Sequence, residues 1–292
     1  MTSSSRETIF LEDAEILTHE HLAGDQHVLS VNAPECAAHA LPGSFIHVRC
    51  ADERPLRRPI SIMRANRERG TVHLLYKTVG EGTRLLSQRK IGEALNILGP
   101  IGTPFQPNRE QTRPLLIGGG VGMPPMIFLA ETLRDDPDFN PFVILGSEVP
   151  FPFPARPSQI LTPGIPEGIT ATMPLLDDWG IPCRLASLRG FPGCHDGYVT
   201  ELATRWLDGL DRENRQQVEI FSCGPHPMLE AVAALARDYD LPCQVSLEEF
   251  MACGVGGCAG CVVSVATDEG DAMKRVCVDG PVFDARTVFP TA

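Results

Sequence analysis

Cys253, Cys258 and Cys261 fall within nine residues, and Cys277 follows shortly after. The spacing, C-x4-C-x2-C-x15-C, presents three thiolates from a tight loop while a fourth arrives from elsewhere. That is the plant-type [2Fe–2S] ligand arrangement. Gly254, Gly256, Gly257 and Gly260 stand among these cysteines. Such glycines would supply positive φ and let backbone N–H groups point at the sulfurs. Zinc is the rival metal, but structural zinc sites pair C-x2-C with a second knuckle or with His, and neither follows here. The bland alternative, four unrelated core cysteines, leaves three of them in a Gly-rich loop that can bury little. Cys36, Cys50, Cys183, Cys194, Cys223 and Cys243 are scattered and read as small core or turn residues.

Other stretches could meet phosphates or flat rings. Gly118-Gly119-Gly120-Val121-Gly122 follows the apolar run Pro114–Ile117 and precedes a helical pattern opened by Pro124-Pro125. A strand–glycine–helix turn lets backbone approach a ligand at a helix N-terminus, although G-x-G-x-x-G is not met in register. Cys223-Gly224-Pro225 closes a second such strand, Val218–Phe221, at the edge where open parallel sheets bind ligands. Arg57-Arg58-Pro59-Ile60-Ser61 offers a guanidinium for a diphosphate and a hydroxyl for a ring nitrogen. Gly80-Glu81-Gly82-Thr83 offers amides and a hydroxyl where a helix starts. Read alone, each is equally a tight turn, a solvated Arg pair or an ordinary helix cap.

The elements that must carry these groups change character along the chain. Val28–Val31, Ser44–Val48, Ile60–Met63 and Val72–Tyr76 are short β-rich runs separated by Gly, Pro and Asn, which predicts an antiparallel barrel or sandwich. This pattern ends near Leu98–Gly102, and the polar stretch Gln106–Arg113 reads as a linker. Beyond it, Pro114–Ile117, Phe142–Leu145 and Val218–Phe221 are buried-type strands. Helices follow with Met126, Ala130 and Leu133 on one face, and with Met228, Leu229, Val232 and Leu235 on another. That repetition implies a parallel sheet with covering helices. Pro150–Pro166 reads as a long irregular loop, and the last fifty or so residues are too few for a large core without a staple. The expected organisation is a multidomain β plus α/β protein: a barrel over 1–108, an α/β domain over 109–242 and a small cluster domain over 243–292.

A net charge of −12 argues against nucleic-acid and anionic-membrane surfaces. No apolar run is long enough to span a bilayer. Met1–Glu12 lacks the apolar core of a secretory signal, so the expected location is the cytoplasm.

Taken together, these pieces resemble the ferredoxin-reductase superfamily and, within it, the electron-transfer subunits of class 1B dihydroorotate dehydrogenases. The resemblance rests on Leu56–Ile62, Gly118–Pro125, Cys223-Gly224-Pro225 with Met228-Leu229, Ser246–Gly254 and Cys277–Phe283, and covers nearly the whole chain. It implies an antiparallel FAD-binding β-barrel, a parallel-sheet nicotinamide-binding domain and a [2Fe–2S] domain held by Cys253, Cys258, Cys261 and Cys277. It also implies that Arg58-Pro59-Ile60-Ser61 binds FAD, with Arg58 at the diphosphate and Ser61 near flavin N5. Gly80, Gly82 and Thr83 would hold the rest of FAD, and Gly120, Gly122, Cys223 and Gly224 would line the nicotinamide side. The partner would be an FMN-containing dihydroorotate dehydrogenase catalytic subunit of pyrimidine biosynthesis, joined in a heterotetramer.

Three places depart from the family pattern. Ile60 stands where generic ferredoxin reductases carry Tyr, Ala186–Gly190 replaces an Asp-rich segment, and Phe250 replaces a basic residue before Met251-Ala252-Cys253. NAD is expected rather than NADP, because a 2′-phosphate wants a cation and only Arg156 stands between Leu145 and Arg184. No general acid, base or nucleophile is identified. The alternatives are a stand-alone NAD(P)H-dependent reductase serving an oxygenase or ferredoxin, and a non-enzymatic redox sensor.

Overall fold

The computed structural model describes residues 8–291, so the reading of Met1–Glu12 lies mostly outside them. The chain forms two compact units. One comprises the residues up to Pro104 together with Leu247–Val282; the other comprises Phe105–Ser246 and Phe283 onward.

In the first unit six antiparallel strands close a barrel. They are β1 (Phe10–Leu22), β2 (Gln26–Asn32), β3 (Phe45–Val48), β4 (Arg58–Asn66), β5 (Thr71–Lys77) and β6 (Ala94–Ile101), in the order β1-β2-β5-β4-β3-β6. Leu29, Val31, Ile46, Val48, Ile62, Val72, Leu74, Leu95 and Ile97 are buried as its core, each worth roughly 1.5–3 kcal/mol in burial. The expected strands over 28–31, 44–48, 60–63 and 72–76 lie in β2, β3, β4 and β5. β1 was not legible in advance, because among its thirteen residues only Ala14 and Ile16 are buried. Two short helices, α1 (Pro34–His39) and α2 (Glu81–Leu86), interrupt the strands.

The second unit is an α/β sheet. Its chain-order elements are β7 (Arg113–Gly119), a 3₁₀ turn (Gly120–Gly122), α3 (Met123–Leu133), β8 (Phe142–Gly146), β9 (Arg156–Pro157), β10 (Ala171–Thr172), α4 (Pro174–Asp178), β11 (Cys183–Ala186), α5 (Val199–Asp208), α6 (Arg212–Gln216), β12 (Val218–Cys223), α7 (His226–Asp238) and β13 (Cys243–Ser246). The cluster segment adds the hairpin β14 (Val262–Thr267) and β15 (Gly270–Arg275); β16 (Val282–Asp284) and α8 (Ala285–Val288) end the chain. The large sheet runs β11-β8-β7-β12-β13-β16, and its first five strands pair in parallel. The chain moves outward from β7 to β8 and β11, then returns to the other side of β7 with β12. The reversal therefore falls between β7 and β12, the switch point where open α/β sheets bind ligands.

Met126, Ala130 and Leu133 are buried on α3 as expected, and so is every other residue from Met123 to Ala130, whereas Glu131 and Thr132 are not. The stretch Gln106–Arg113 is held in place by hydrogen bonds. The Gln106 amide donates to the Gln244 side chain at 3.0 Å and the Asn108 amide to Glu219 at 2.9 Å. The long loop 150–166 is largely irregular but tied down. β9 pairs with β10, Arg156 meets Asp177 and Asp178, and the buried Arg184 donates to the Ile160 carbonyl at 2.8 Å.

Candidate functional site

The cluster loop leaves Leu247, runs to Cys261 and is locked at its far end. The Val276 amide donates to the Cys261 carbonyl at 3.0 Å, the Arg275 amide to Asp279 at 2.7 Å, and the Arg275 guanidinium to the Gly256 carbonyl at 3.2 Å. These bonds bring Cys277 to the other three cysteines. Gly254 and Gly256 have positive φ as expected, whereas Gly257 and Gly260 do not; Ala259, at φ 52°, takes the third left-handed position. The sulfurs gather two and two. Cys253 is in hydrogen-bond contact with Cys258, and Cys277 with Cys261.

Burial opposes ionisation of Cys253, yet the N–H groups of Val255, Cys258 and Gly257 and the Cys258 thiol outweigh it and lower the thiol below its ordinary range. Burial and the neighbouring Cys261 push Cys277 up, against the Gly256 amide that bonds its sulfur. The Gly260 amide reaches the Cys258 sulfur at 3.4 Å. Among the described residues no three His, Cys, Asp or Glu converge as a single-ion site would need. Two sulfur pairs ringed by amides fit a two-iron cluster, whose irons each take two protein sulfurs. Cys261 and Cys277 are buried and Cys258 is exposed.

The expected flavin residues lie on and beside β4. Arg57 and Arg58 differ sharply. Arg57 donates to the carbonyls of His47 and Asn96 at 3.2 and 3.0 Å, and also to the Asn96 side chain, so it latches β3 to β6. Arg58 donates to the Leu56 and Arg57 carbonyls and lies across Gly82, where an added Cβ would come within 2.7 Å of its Nε. Among the described residues Arg58 has no carboxylate partner, so its charge is available to an anion. Gly80 and Gly82 flank the start of α2. The Thr83 hydroxyl accepts from the Val79 and Gly80 amides at 3.0 and 3.3 Å, which makes it a local cap that shapes the turn. Ser61 and Pro59 stand opposite Phe45 and His47 across the β3–β4 pair, and share their outward face. Ile60 faces the barrel interior opposite Ile46, and only its main chain is open to a ligand. A guanidinium without a counter-ion, seated on a glycine, fits a diphosphate.

The expected nicotinamide residues meet at the switch point. Cys223 pairs with Gly118 across β12 and β7. A Cβ on Gly122 would lie 2.3 Å from the Cys223 carbonyl oxygen, and one on Gly224 would lie 2.4 Å from the Met228 methyl. Gly120 has φ 55° and open space around it. The two glycine turns thus pack backbone to backbone, a cradle that side chains would fill. Beyond it the departing Ala186–Gly190 segment forms a tight turn, with the Ser187 hydroxyl donating to the Ser147 carbonyl at 2.6 Å and accepting from the Arg189 amide at 3.2 Å.

One residue of this region escaped sequence reasoning. His47 is completely buried on β3, and neither ring nitrogen has a hydrogen-bond partner. Burial, aided by Arg57 and Arg58, pushes its pKa down to about 4, so the ring is neutral near pH 7. The only signal in the sequence is a polar ring inside the apolar run Phe45–Val48.

Comparison with known proteins matches these parts to families. The family described as the iron-sulfur cluster binding domain of dihydroorotate dehydrogenase B matches residues 248–289, and the oxidoreductase FAD-binding domain matches residues 13–105. The electron transfer subunit of dihydroorotate dehydrogenase B (NAD(+)) from Desulforamulus reducens is 34% identical, with 93% of this chain and 95% of that protein covered. The subunit of the same name from Caldanaerobacter subterraneus is 32% identical, with 94% and 97% covered. Among solved structures, an NADH-dependent reduced ferredoxin-NADP oxidoreductase superposes with a TM-score of 0.74 at 25% identity, covering 99% of this chain and 91% of that one. The ferredoxin reductase of carbazole 1,9a-dioxygenase shares the fold, with a TM-score of 0.61 at 21% identity over 80% of this chain and 67% of that one. This chain belongs to the family of electron transfer subunits of dihydroorotate dehydrogenase B.

Proposed function

We infer that this chain passes electrons between an FMN-containing dihydroorotate dehydrogenase catalytic subunit and NAD, in pyrimidine biosynthesis. The observation that carries this reading is the end-to-end match to subunits of that name, which covers 93% of this chain in one relative and 94% in another. FAD exchanges hydride with a nicotinamide and single electrons with a [2Fe–2S] cluster, so a chain that holds both can join a two-electron carrier to a one-electron carrier.

The residues of the chain bind and orient. Cys253, Cys258, Cys261 and Cys277 supply the thiolates, and the amides of Val255, Gly256, Gly257, Cys258 and Gly260 stabilise their charge. Arg58 holds the FAD diphosphate over Gly82, while Gly80 and Thr83 shape the turn beside it. Ser61 is offered to the flavin ring from the outward face of β4, with Pro59 and the main chain of Ile60 beside it. Gly120, Gly122, Cys223 and Gly224 keep side chains out of the way of the nicotinamide. No residue need act as acid, base or nucleophile. The work divides over 1–108 for flavin, 109–242 for nicotinamide and 243–292 for the cluster, the two ends of the last segment, β13 and β16, being strands of the α/β sheet. The packing of Leu247–Val282 in one unit with the barrel supports a short path between flavin and cluster.

NAD rather than NADP is favoured because Arg156 is already paired with Asp177 and Asp178, and Arg184 is buried under the Ile160 carbonyl. Arg189 is the cation left exposed beside that edge. The proposed assembly is a heterotetramer of two chains of each kind. The proposed location is the cytoplasm, supported by ten cysteines without a disulfide. Among the described residues no helix is long and apolar enough to cross a membrane.

The test is co-expression with the FMN-containing dihydroorotate dehydrogenase of the same organism and anaerobic purification. A stable complex in which dihydroorotate drives NAD reduction only when this chain is present is the expected result. A second reading, a reductase that serves a ferredoxin, is favoured by the 99% coverage of the oxidoreductase structure. Loaded protein that forms no such complex but reduces ferredoxin with NADH would establish that reading instead.

A further inference from the structure

His47 is 0% exposed, and both of its ring nitrogens lack a partner. Leaving a polar group buried and unpaired is costly, and such an exception in a well-packed protein points to a missing ligand. The ring lies on the outward face of β3, between Pro59 of β4 and Leu98 of β6 in register. Its cover is the cluster loop. A Cβ built on Gly254 would stand 2.7 Å from Nδ1, 3.0 Å from Cε1 and 3.2 Å from Cγ, so the Nδ1 edge of the ring faces the residue that follows Cys253. Gly254 is itself buried and left-handed, at φ 69°. The loop already turns the amides of Val255, Gly257 and Cys258 toward the Cys253 sulfur. His47 approaches the same corner from the barrel.

We propose that His47 is a positioning residue for the iron–sulfur centre: its Nδ1–H donates a hydrogen bond to a sulfur at the Cys253 corner, which ties the barrel to the loop and favours the reduced cluster. The proposal rests on the assignment of Cys253, Cys258, Cys261 and Cys277 as ligands. The physical reason is charge. Reduction adds an electron to the cluster and its sulfurs, so a hydrogen bond to sulfur is stronger in the reduced form and raises the reduction potential.

The test uses the loaded full chain, with iron and flavin content measured first. His47→Phe keeps the ring volume and removes the donor. Redox titration followed by EPR should show the one-electron equilibrium of the cluster shifted about tenfold toward the oxidised form, which is 59 mV lower for a one-electron couple, with the flavin equilibrium unmoved. Asn places an amide nitrogen near the position of Nδ1, whereas Gln places one near that of Nε2. His47→Asn should therefore restore most of the shift and His47→Gln should not. Pulsed EPR of the reduced wild-type cluster should also show a weak nitrogen coupling that changes with ¹⁵N-histidine labelling.

An unchanged cluster potential in a fully loaded His47→Phe variant would overturn the proposal. So would a shift confined to the flavin, or equal shifts in all three variants. If the variants lose the cluster, the wild-type coupling decides, and the absence of a labelled-histidine signal overturns the proposal. Failure of the ligand assignment has its own signature: a Cys253→Ser protein that keeps the wild-type cluster spectrum.

Discussion

At the scale of single residues, the cluster corner depends on groups with nowhere else to go. Cys258 is the exposed member of the four cysteines, so its replacement disturbs no core. Cys258→Ser should fold, keep its flavin and lose the wild-type [2Fe–2S] absorption and EPR signal; retention of the intact spectrum would remove Cys258 from the ligand set. Gly254 combines a left-handed φ of 69° with a neighbour 2.7 Å from any Cβ. Gly254→Ala should therefore cost about 1–3 kcal/mol, read as a lower denaturation midpoint and a shorter cluster lifetime.

His47 adds a pH dependence. Its folded pKa of about 4 lies below the ordinary value of 6.5, so the unfolded chain binds the extra proton first. Its contribution is fully present above pH 6.5 and is lost as pH falls toward 4. Urea unfolding at pH 7.5 and pH 5 should show that loss in the wild type and lack it in His47→Phe.

At the scale of elements, the switch point between β7 and β12 is two turns pressed together. Gly122 meets the Cys223 carbonyl oxygen at 2.3 Å from a would-be Cβ. Both neighbours are backbone, so neither can swing aside. Gly122→Ala must part the turns, and it should raise the KM for NADH by about tenfold or more while cluster and flavin spectra stay as they are. Unchanged steady-state kinetics would separate this turn from the nicotinamide. The β4 strand teaches a similar point. Arg57 and Arg58 are adjacent and identical in type, yet one is spent on Asn96 and the His47 carbonyl while the other rests over Gly82. Arg58→Ala should weaken flavin retention, whereas Arg57→Ala should chiefly destabilise the barrel.

At the scale of the whole molecule, the proposed catalytic partner would have to approach the cluster closely to exchange electrons with it. Phe250 is 94% exposed, and Val255 in the same loop is also exposed. A single exposed apolar side chain is ordinary on a protein surface; the position of Phe250 in the cluster loop is what makes it a test of the proposed interface. Phe250→Asp should weaken binding to the catalytic partner about tenfold or more and leave the cluster spectrum unchanged. Size-exclusion chromatography of the mixed subunits reads the first effect, and EPR the second.

Local pattern alone determined a good deal about this protein. The four cysteine positions are legible because three ligands of a cluster must come from one short loop, and the strand–glycine–helix turns are legible because backbone can approach a ligand only where side chains are missing. The barrel strands β2 to β5 announce themselves through β-rich runs, while β1 does not, since only Ala14 and Ile16 of its residues are buried. Tertiary structure alone decided which of these pieces face one another. It turned Ile60 inward, divided the roles of Arg57 and Arg58, buried the first two turns of α3 and set His47 against Gly254 from the far end of the chain. Such pairings arise from strand register and loop closure across long separations, and no window of sequence contains both partners.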